Sequence, residues 1–131
     1  MPWALIEVRR QWSREEETAI IDAVHAALVA AFEIPATDKH VRLQVHEPHR
    51  FAHPPTLAEP EYATLVSVDC FVGRSAGAKR LLYAEITGRL ESLGIPRDHV
   101  SITLRESSTE NWGIRGGQAA CDVDLGYNVK V

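Results

Sequence analysis

An internal repeat constrains the fold of this 131-residue chain more than any other feature of its sequence. Two serines that can cap helices, Ser13 and Ser75, lie 62 residues apart. The junctions that follow the two helices, Ile34-Pro35 and Ile95-Pro96, lie 61 residues apart. Two agreements at nearly the same spacing indicate a duplicated β-α-β unit, in which a right-handed crossover is expected between parallel strands.

Hydrophobic periodicity assigns the elements of each unit. In the first unit we predict a strand at residues 3–9, a helix that opens with a capping box at Ser13–Glu16 and stops at Pro35, and a strand at residues 41–47. The second unit repeats this order with residues 65–72, 75–93 and 100–105. These elements predict an α+β fold in which a four-stranded sheet carries both helices on one face.

We expect a single domain over residues 1–131, with units at about 1–47 and 64–106. The connection at about 48–62 contains four prolines and is predicted to be irregular. A C-terminal loop and strand occupy residues 107–131, where Leu125–Val131 alternates like a short extra strand. No predicted element covers the second face of the sheet, which indicates self-association.

Charge and cysteine content limit the partners. The formal net charge is −4 and the basic residues are scattered, so we expect no nucleic-acid binding. We expect no membrane association, because the chain has no apolar stretch of membrane length and no signal peptide. Cys70 and Cys121 have neither metal-site nor disulfide spacing, and Cys70 is predicted to be a core residue. The expected location is cytoplasmic.

Six histidines raise the question of a metal site. His46, His49 and His53 lie close together but within the proline-rich connection, without helical or strand spacing. His40 and His99 occupy equivalent positions in the two units, which favours a structural role. We therefore predict no metal and no other cofactor.

Five segments resemble the tautomerase superfamily, whose members are built from this β-α-β unit. Met1-Pro2 precedes a strand as in that family, and Gly73-Arg74-Ser75 is similar to the turn whose arginine binds a substrate carboxylate. His40–Leu43 resembles a segment that supplies another arginine, and Asn111–Gly117 resembles the loop that closes the pocket. Pro35–Asp38 is similar to a segment of the decarboxylases in which an aspartate assists catalysis.

The resemblance implies a fused, two-unit protein of the 4-oxalocrotonate tautomerase-like type, closest to the malonate semialdehyde decarboxylase-like group and assembled as a homotrimer. The implied activity moves a proton in a small 2-keto or 2-hydroxy unsaturated carboxylate. The decarboxylases carry two arginines around one residue at the turn, whereas Val72-Gly73-Arg74 provides one. The alternatives are a decarboxylase or hydratase of a three-carbon acid, or an inactive binding relative.

Pro2, Arg74 and Asp38 are the catalytic residues that this resemblance implies. Pro2 becomes a secondary amine if Met1 is removed, and burial and nearby arginines would lower its pKa toward neutrality, where a general base works well. Arg74 would bind the substrate carboxylate through two parallel hydrogen bonds. Asp38 would orient a water molecule or the amine, although it also fits a turn or cap position.

Arg42, Trp112 and Arg115 are the expected substrate-binding residues. Arg42 or Arg115 would supply a second positive charge, and Arg42 could do so from a neighbouring chain or could simply face solvent. Trp112 would wall the pocket and exclude water, which strengthens electrostatic interactions. Packing at a subunit interface is the alternative role for Trp112.

Overall fold

The computed structural model describes residues 1–131 and contains the two expected β-α-β units. The first unit comprises β1 (Pro2–Val8), α1 (Arg14–Phe32) and β2 (Val41–Val45). The second comprises β3 (Thr64–Phe71), α2 (Ala76–Glu91) and β4 (Val100–Ser107). A short antiparallel pair follows, β5 (Gly113–Ile114) and β6 (Gln118–Ala119). The predicted fold class is confirmed.

The main sheet has the order β2-β1-β3-β4. β1 runs parallel to β2, and β3 runs parallel to β4, as expected within each unit. The two units meet through the antiparallel pair β1–β3, in which Pro2 lies opposite Cys70. This register places the start of the chain beside the end of β3, and therefore beside the Gly73-Arg74-Ser75 turn.

Alternating side chains of the central strands form the core against both helices. The buried set from β1 and β3 is Ala4, Ile6, Val8, Val66, Val68 and Cys70. Burial of one large aliphatic side chain contributes about 1.5–3 kcal/mol. The predicted core position of Cys70 is confirmed. On the other face of the sheet no element of this chain covers Trp3 and Leu65, which are 39% and 41% exposed.

Both helices begin at the predicted serines. The Ser13 side chain accepts a hydrogen bond from the Glu16 backbone, and the Glu16 carboxylate accepts one from the Ser13 backbone, which completes the capping box. Ser75 accepts a hydrogen bond from the Ala78 backbone. Helix α1 ends where Glu33 adopts a left-handed conformation, two residues before Pro35. Neither helix has the length and hydropathy that crossing a membrane requires.

The strand expected at residues 125–131 does not form. Gly126 has a φ of +79° and donates its backbone N–H to the Asp124 carboxylate, and Lys130 does the same to the side chain of Asn128. These two local turns break the alternation that resembled a strand. The tail instead packs over the Gly73 turn, where the Val129 carbonyl lies close to the glycine.

Candidate functional site

A cleft of about 280 Å³ opens at the amino end of β1. Three segments that are distant in sequence form its walls: the junction after α1, the β5 loop and the C-terminal tail. The lining residues are Met1, Pro35, Thr37, Asp38, Ile114, Arg115, Leu125 and Tyr127. The volume suits a small ligand, because sites for drug-sized molecules generally start at about 300 Å³.

The amino group of Met1 lies inside this cleft. It forms an ion pair with Asp38 and donates a hydrogen bond to the Tyr127 hydroxyl at 2.8 Å. Burial lowers the pKa of this amino group; the hydrogen bond and charge of Asp38 oppose the shift, and the charges of Arg74 and Arg115 add to it. The Pro2 nitrogen is an amide while Met1 is attached, so the basic nitrogen at this position belongs to Met1.

Arg74 is buried at the turn that follows β3, with only 4% of its surface exposed. Its Nη1 donates a long hydrogen bond of 3.4 Å to the Phe71 carbonyl, and its guanidinium lies 4.7 Å from the centre of the Phe32 ring. Its Nε and Nη2 have no hydrogen-bond partner. A buried cation with two unpaired N–H groups is costly, and a carboxylate that binds this edge would satisfy both.

Arg115 lines the cleft from the turn between β5 and β6, whereas Arg74 is not among the lining residues. Its backbone is left-handed, with a φ of +48°, and its Nη1 donates to the Asp124 carbonyl at 2.8 Å. The charge of Arg115 acts on the Met1 amino group. The structure therefore gathers Asp38, Arg74 and Arg115 around the amino terminus.

Trp112 and Arg42 lie outside this cleft in the single chain. Trp112 packs edge-on against Trp3 and Phe71, with ring centres 4.9 and 5.0 Å apart, and donates its indole N–H to Ser107. Arg42 is exposed and lines a separate depression beside Trp3 and His40. Both side chains lie near the uncovered face of the sheet.

The clustered histidines do not converge. His46 donates to the Glu7 carboxylate at 2.8 Å, and Nδ1 of His53 donates to the Pro54 carbonyl. No set of three or more His, Cys, Asp or Glu side chains is placed to hold a metal ion. His99 is buried and accepts a hydrogen bond from the Glu59 backbone, which is a structural role.

Sequence analysis missed Tyr127 and Leu125, which contribute to the cleft from the tail. Apolar and polar residues alternate in this segment, a pattern that predicts a strand. Gly126 and Asn128 are residues typical of turns, and they were the available signal that the tail bends. Nothing local indicates that the bent tail returns to the amino terminus.

Known proteins share this fold and part of this sequence. A family model described as tautomerase enzyme matches residues 38–115. A malonate semialdehyde decarboxylase inhibited by 3-bromopropiolate is 31% identical, with 89% of this chain and 92% of that chain covered and a TM-score of 0.80. A second malonate semialdehyde decarboxylase, described with decarboxylase and hydratase activities, is 25% identical, with coverages of 93% and 99% and a TM-score of 0.81.

A fused 4-OT described as an asymmetric trimer has the same fold at 18% identity, with coverages of 91% and 96% and a TM-score of 0.80. The family match spans more than half of this chain and includes the positions of Asp38, Arg74 and Arg115. The two-unit fold and this match together show that the chain belongs to the tautomerase family.

Proposed function

We propose that this chain is an enzyme of small oxo carboxylates in which Pro2, once Met1 is removed, exchanges a proton with the substrate. The observation that carries the proposal is a buried amino group in contact with Asp38, close to a buried guanidinium with two unpaired nitrogens. Removal of Met1 would free the space that this residue occupies and convert the neighbouring Pro2 nitrogen into a secondary amine. The burial that lowers the pKa of the Met1 amino group is expected to act on this amine as well.

Arg74 is the proposed binding group for the substrate carboxylate. Its Nε and Nη2 edge offers two parallel donors, and its burial excludes the water that would otherwise weaken the ion pair. Arg115 lines the cleft and supplies a second positive charge. In this assignment Arg115 takes the place of the second arginine, which the decarboxylases carry at the turn and this chain lacks.

Tautomerisation is the first candidate reaction. The neutral Pro2 amine would remove a proton from the carbon beside the carbonyl, and the C–H electron pair would form the double bond of an enolate. The carbonyl electrons would move to oxygen, and the amine would return the proton at the other end of the conjugated system. The adjacent positive charges of Arg74 and Arg115 would stabilise the enolate.

Decarboxylation or hydration of a three-carbon oxo acid is the second candidate, favoured by the contact between Asp38 and the amino group. A nearby carboxylate raises the pKa of an amine and so favours its protonated form. In decarboxylation the bond to the carboxylate carbon would break, carbon dioxide would leave, and the protonated Pro2 would deliver its proton to the resulting enolate carbon. The 31% identity to a malonate semialdehyde decarboxylase supports the same choice.

The test uses protein whose intact mass shows that Met1 is absent. Carbon dioxide release from malonate semialdehyde and ketonisation of enolised phenylpyruvate would be measured for the parent chain and for Pro2→Ala. We expect the better of the two activities to fall about 10²–10⁴-fold in kcat, as for loss of a general acid or base. Full activity in Pro2→Ala would overturn the proposal. The faster parent reaction decides between the two candidates.

We also propose that the chain forms a homotrimer, with the uncovered sheet face at the subunit contacts. Trp3 and Leu65 are exposed on this face, and a fused 4-OT of the same fold is a trimer. Arg42 lies beside Trp3 and would act on a neighbouring subunit's cleft. Native mass spectrometry measures the assembly. Two free cysteines, Cys70 and Cys121, support the proposed cytoplasmic location.

A further inference from the structure

The tyrosine of the C-terminal tail contacts the reactive end of the chain. The Tyr127 hydroxyl accepts a hydrogen bond from the Met1 amino group at 2.8 Å, and this amino group also binds Asp38. The side chain of Tyr127 is half-buried, packs partly against the main core and lines the cleft. Its hydroxyl therefore lies where the atoms of a bound substrate would meet the amine.

The tail that carries Tyr127 is held at several points. Ser75, the residue that caps α2, donates its hydroxyl to the Val131 carbonyl at 2.8 Å. Arg115 donates to the Asp124 carbonyl, and Leu125 and Val129 pack against the small core cluster that contains Phe71 and Trp112. Anchors before and after Tyr127 in sequence fix its position, as a pre-organised donor requires.

We propose that Tyr127 is a catalytic residue whose hydroxyl donates a hydrogen bond to the substrate oxygen that becomes negatively charged. This inference rests on the proposed function of Pro2 and Arg74. Arg74 would hold the carboxylate, and Pro2 would move the proton at carbon. Tyr127 would stabilise the negative charge on the oxygen for as long as the enolate exists. The proton of the hydroxyl stays on Tyr127 throughout, because it is donated in a hydrogen bond and is not transferred.

The surroundings of the phenol suit this role. Burial raises the pKa of Tyr127, and the charge of Asp38 adds to this shift while Arg74 opposes it. The hydroxyl consequently keeps its proton at neutral pH and remains a donor. When Met1 is absent, the hydroxyl also loses the amino group that it accepts from in this structure. The hydroxyl proton, which also lies within reach of the Asp38 carboxylate, would then be donated to a substrate oxygen.

The experiment compares Tyr127→Phe with the parent chain, after intact mass has verified that Met1 is absent. Loss of one pre-organised donor to a developing oxyanion is expected to lower kcat about 10²-fold, while the KM for malonate semialdehyde or enolised phenylpyruvate changes little. Malonate, an unreactive dicarboxylate, is expected to compete with the substrate for Arg74, and its inhibition constant would report on that region. Its inhibition constant should stay unchanged.

Tyr62→Phe is the matched control, because Tyr62 also accepts a hydrogen bond of 2.8 Å from a cation, Arg10, but lies in the connection that precedes β3. We expect full activity in this variant. Full kcat in Tyr127→Phe, together with an inactive Pro2→Ala, would overturn the role of Tyr127 and leave the proposed function intact. Full activity in Pro2→Ala would overturn both. A rise in KM and in the malonate inhibition constant without loss of kcat would assign Tyr127 to binding and also overturn the inference.

Discussion

The starts of β1 and β3 are equivalent positions of the duplicated unit, yet their chemistry differs. The repeat spacing of 61–62 residues relates Pro2 to Thr64, the first residues of β1 and β3. At the start of β1 the partly buried amino group of Met1 precedes Pro2. At Thr64 the chain is continuous, and the backbone nitrogen is an ordinary amide.

The charged groups near the start of β1 and near the start of β3 differ in burial and in hydrogen bonding. The side chain of Asp38 is 14% exposed and binds the amino group, whereas the side chain of Asp98 is 81% exposed and binds the neighbouring His99. Arg74 has two unpaired nitrogens, whereas Arg10 donates to Tyr62 and lies 4.2 Å from the centre of the Trp12 ring. Native proteins rarely leave buried polar atoms unpaired. Arg9, near the start of β3, leaves one such atom, Nε, and Arg74 leaves two, which agrees with the proposed ligand at the amino-terminal end.

The largest expected effect is on activity, when Arg74 and Arg10 are each replaced by alanine. Arg74→Ala should lower kcat/KM by about 10²–10³-fold, because it removes charge-assisted hydrogen bonds to the substrate carboxylate. Its unfolding free energy should change little, because a buried cation with unpaired donors is also removed. Arg10→Ala should keep full activity and lose about 1 kcal/mol of stability through its hydrogen bond and aromatic contact.

Steady-state kinetics and urea unfolding of both variants measure this contrast. Equal activity losses in Arg74→Ala and Arg10→Ala would contradict the assignment of the ligand-binding end.

A smaller effect is expected at the two aspartates. In chains that retain Met1, Asp38→Asn should lower the pKa of the amino group further, because the hydrogen bond and charge of Asp38 raise this pKa against the effect of burial. The amino group would then lose its proton at a lower pH than in the parent chain. Asp98→Asn should leave the titration unchanged.

NMR titration of the ¹⁵N-labelled amino group follows this pKa directly. An upward shift in Asp38→Asn would show that Asp38 does not stabilise the charged amine.

The smallest effect is expected where the C-terminal tail packs over the Gly73 turn. Gly73 has a φ of +136°, and an added Cβ would lie 3.2 Å from the Val129 carbonyl, so Gly73→Ala should cost about 1–3 kcal/mol and displace the tail. Activity should fall with it, because the displaced tail carries Tyr127. Gly77→Ala is the control: its Cβ would meet only the Ser75 hydroxyl, at 3.7 Å, so this variant should keep full activity and lose no stability.

Thermal unfolding and kcat measure both glycine variants. An unchanged kcat in a destabilised Gly73→Ala would mean that the position of the tail does not affect the reaction.

The sheet and the helices could be predicted from the sequence because their signals are local. The capping box at Ser13–Glu16, the cap at Ser75 and the repeated Ile-Pro junctions each depend on a few neighbouring residues, and the repeat supplied an independent check of every element. The placement of Asp38 and Arg74 near one another follows from the same topology, because β1 and β3 run antiparallel.

The C-terminal wall of the site could not be predicted in this way. Alternation around Tyr127 satisfies the strand pattern, and the turns at Gly126 and Asn128 that break it are set by side-chain hydrogen bonds to the backbone. The contact between Tyr127 and Met1 joins residues from opposite ends of the chain, and no repeated sequence pattern indicates it. Long-range packing, rather than local preference, decides this contact.

The continuity of the chain at Thr64 also bears on how the two units can diverge. A protein made of a single unit would present an amino terminus in every copy, whereas this chain has one for every two strand starts. Under the proposed mechanism, substitutions near the start of β3 are not constrained by catalysis. In this region Arg9 has a purely structural contact: its guanidinium donates to the carbonyls of Pro48 and Pro60 and so holds both ends of the connection between the two units.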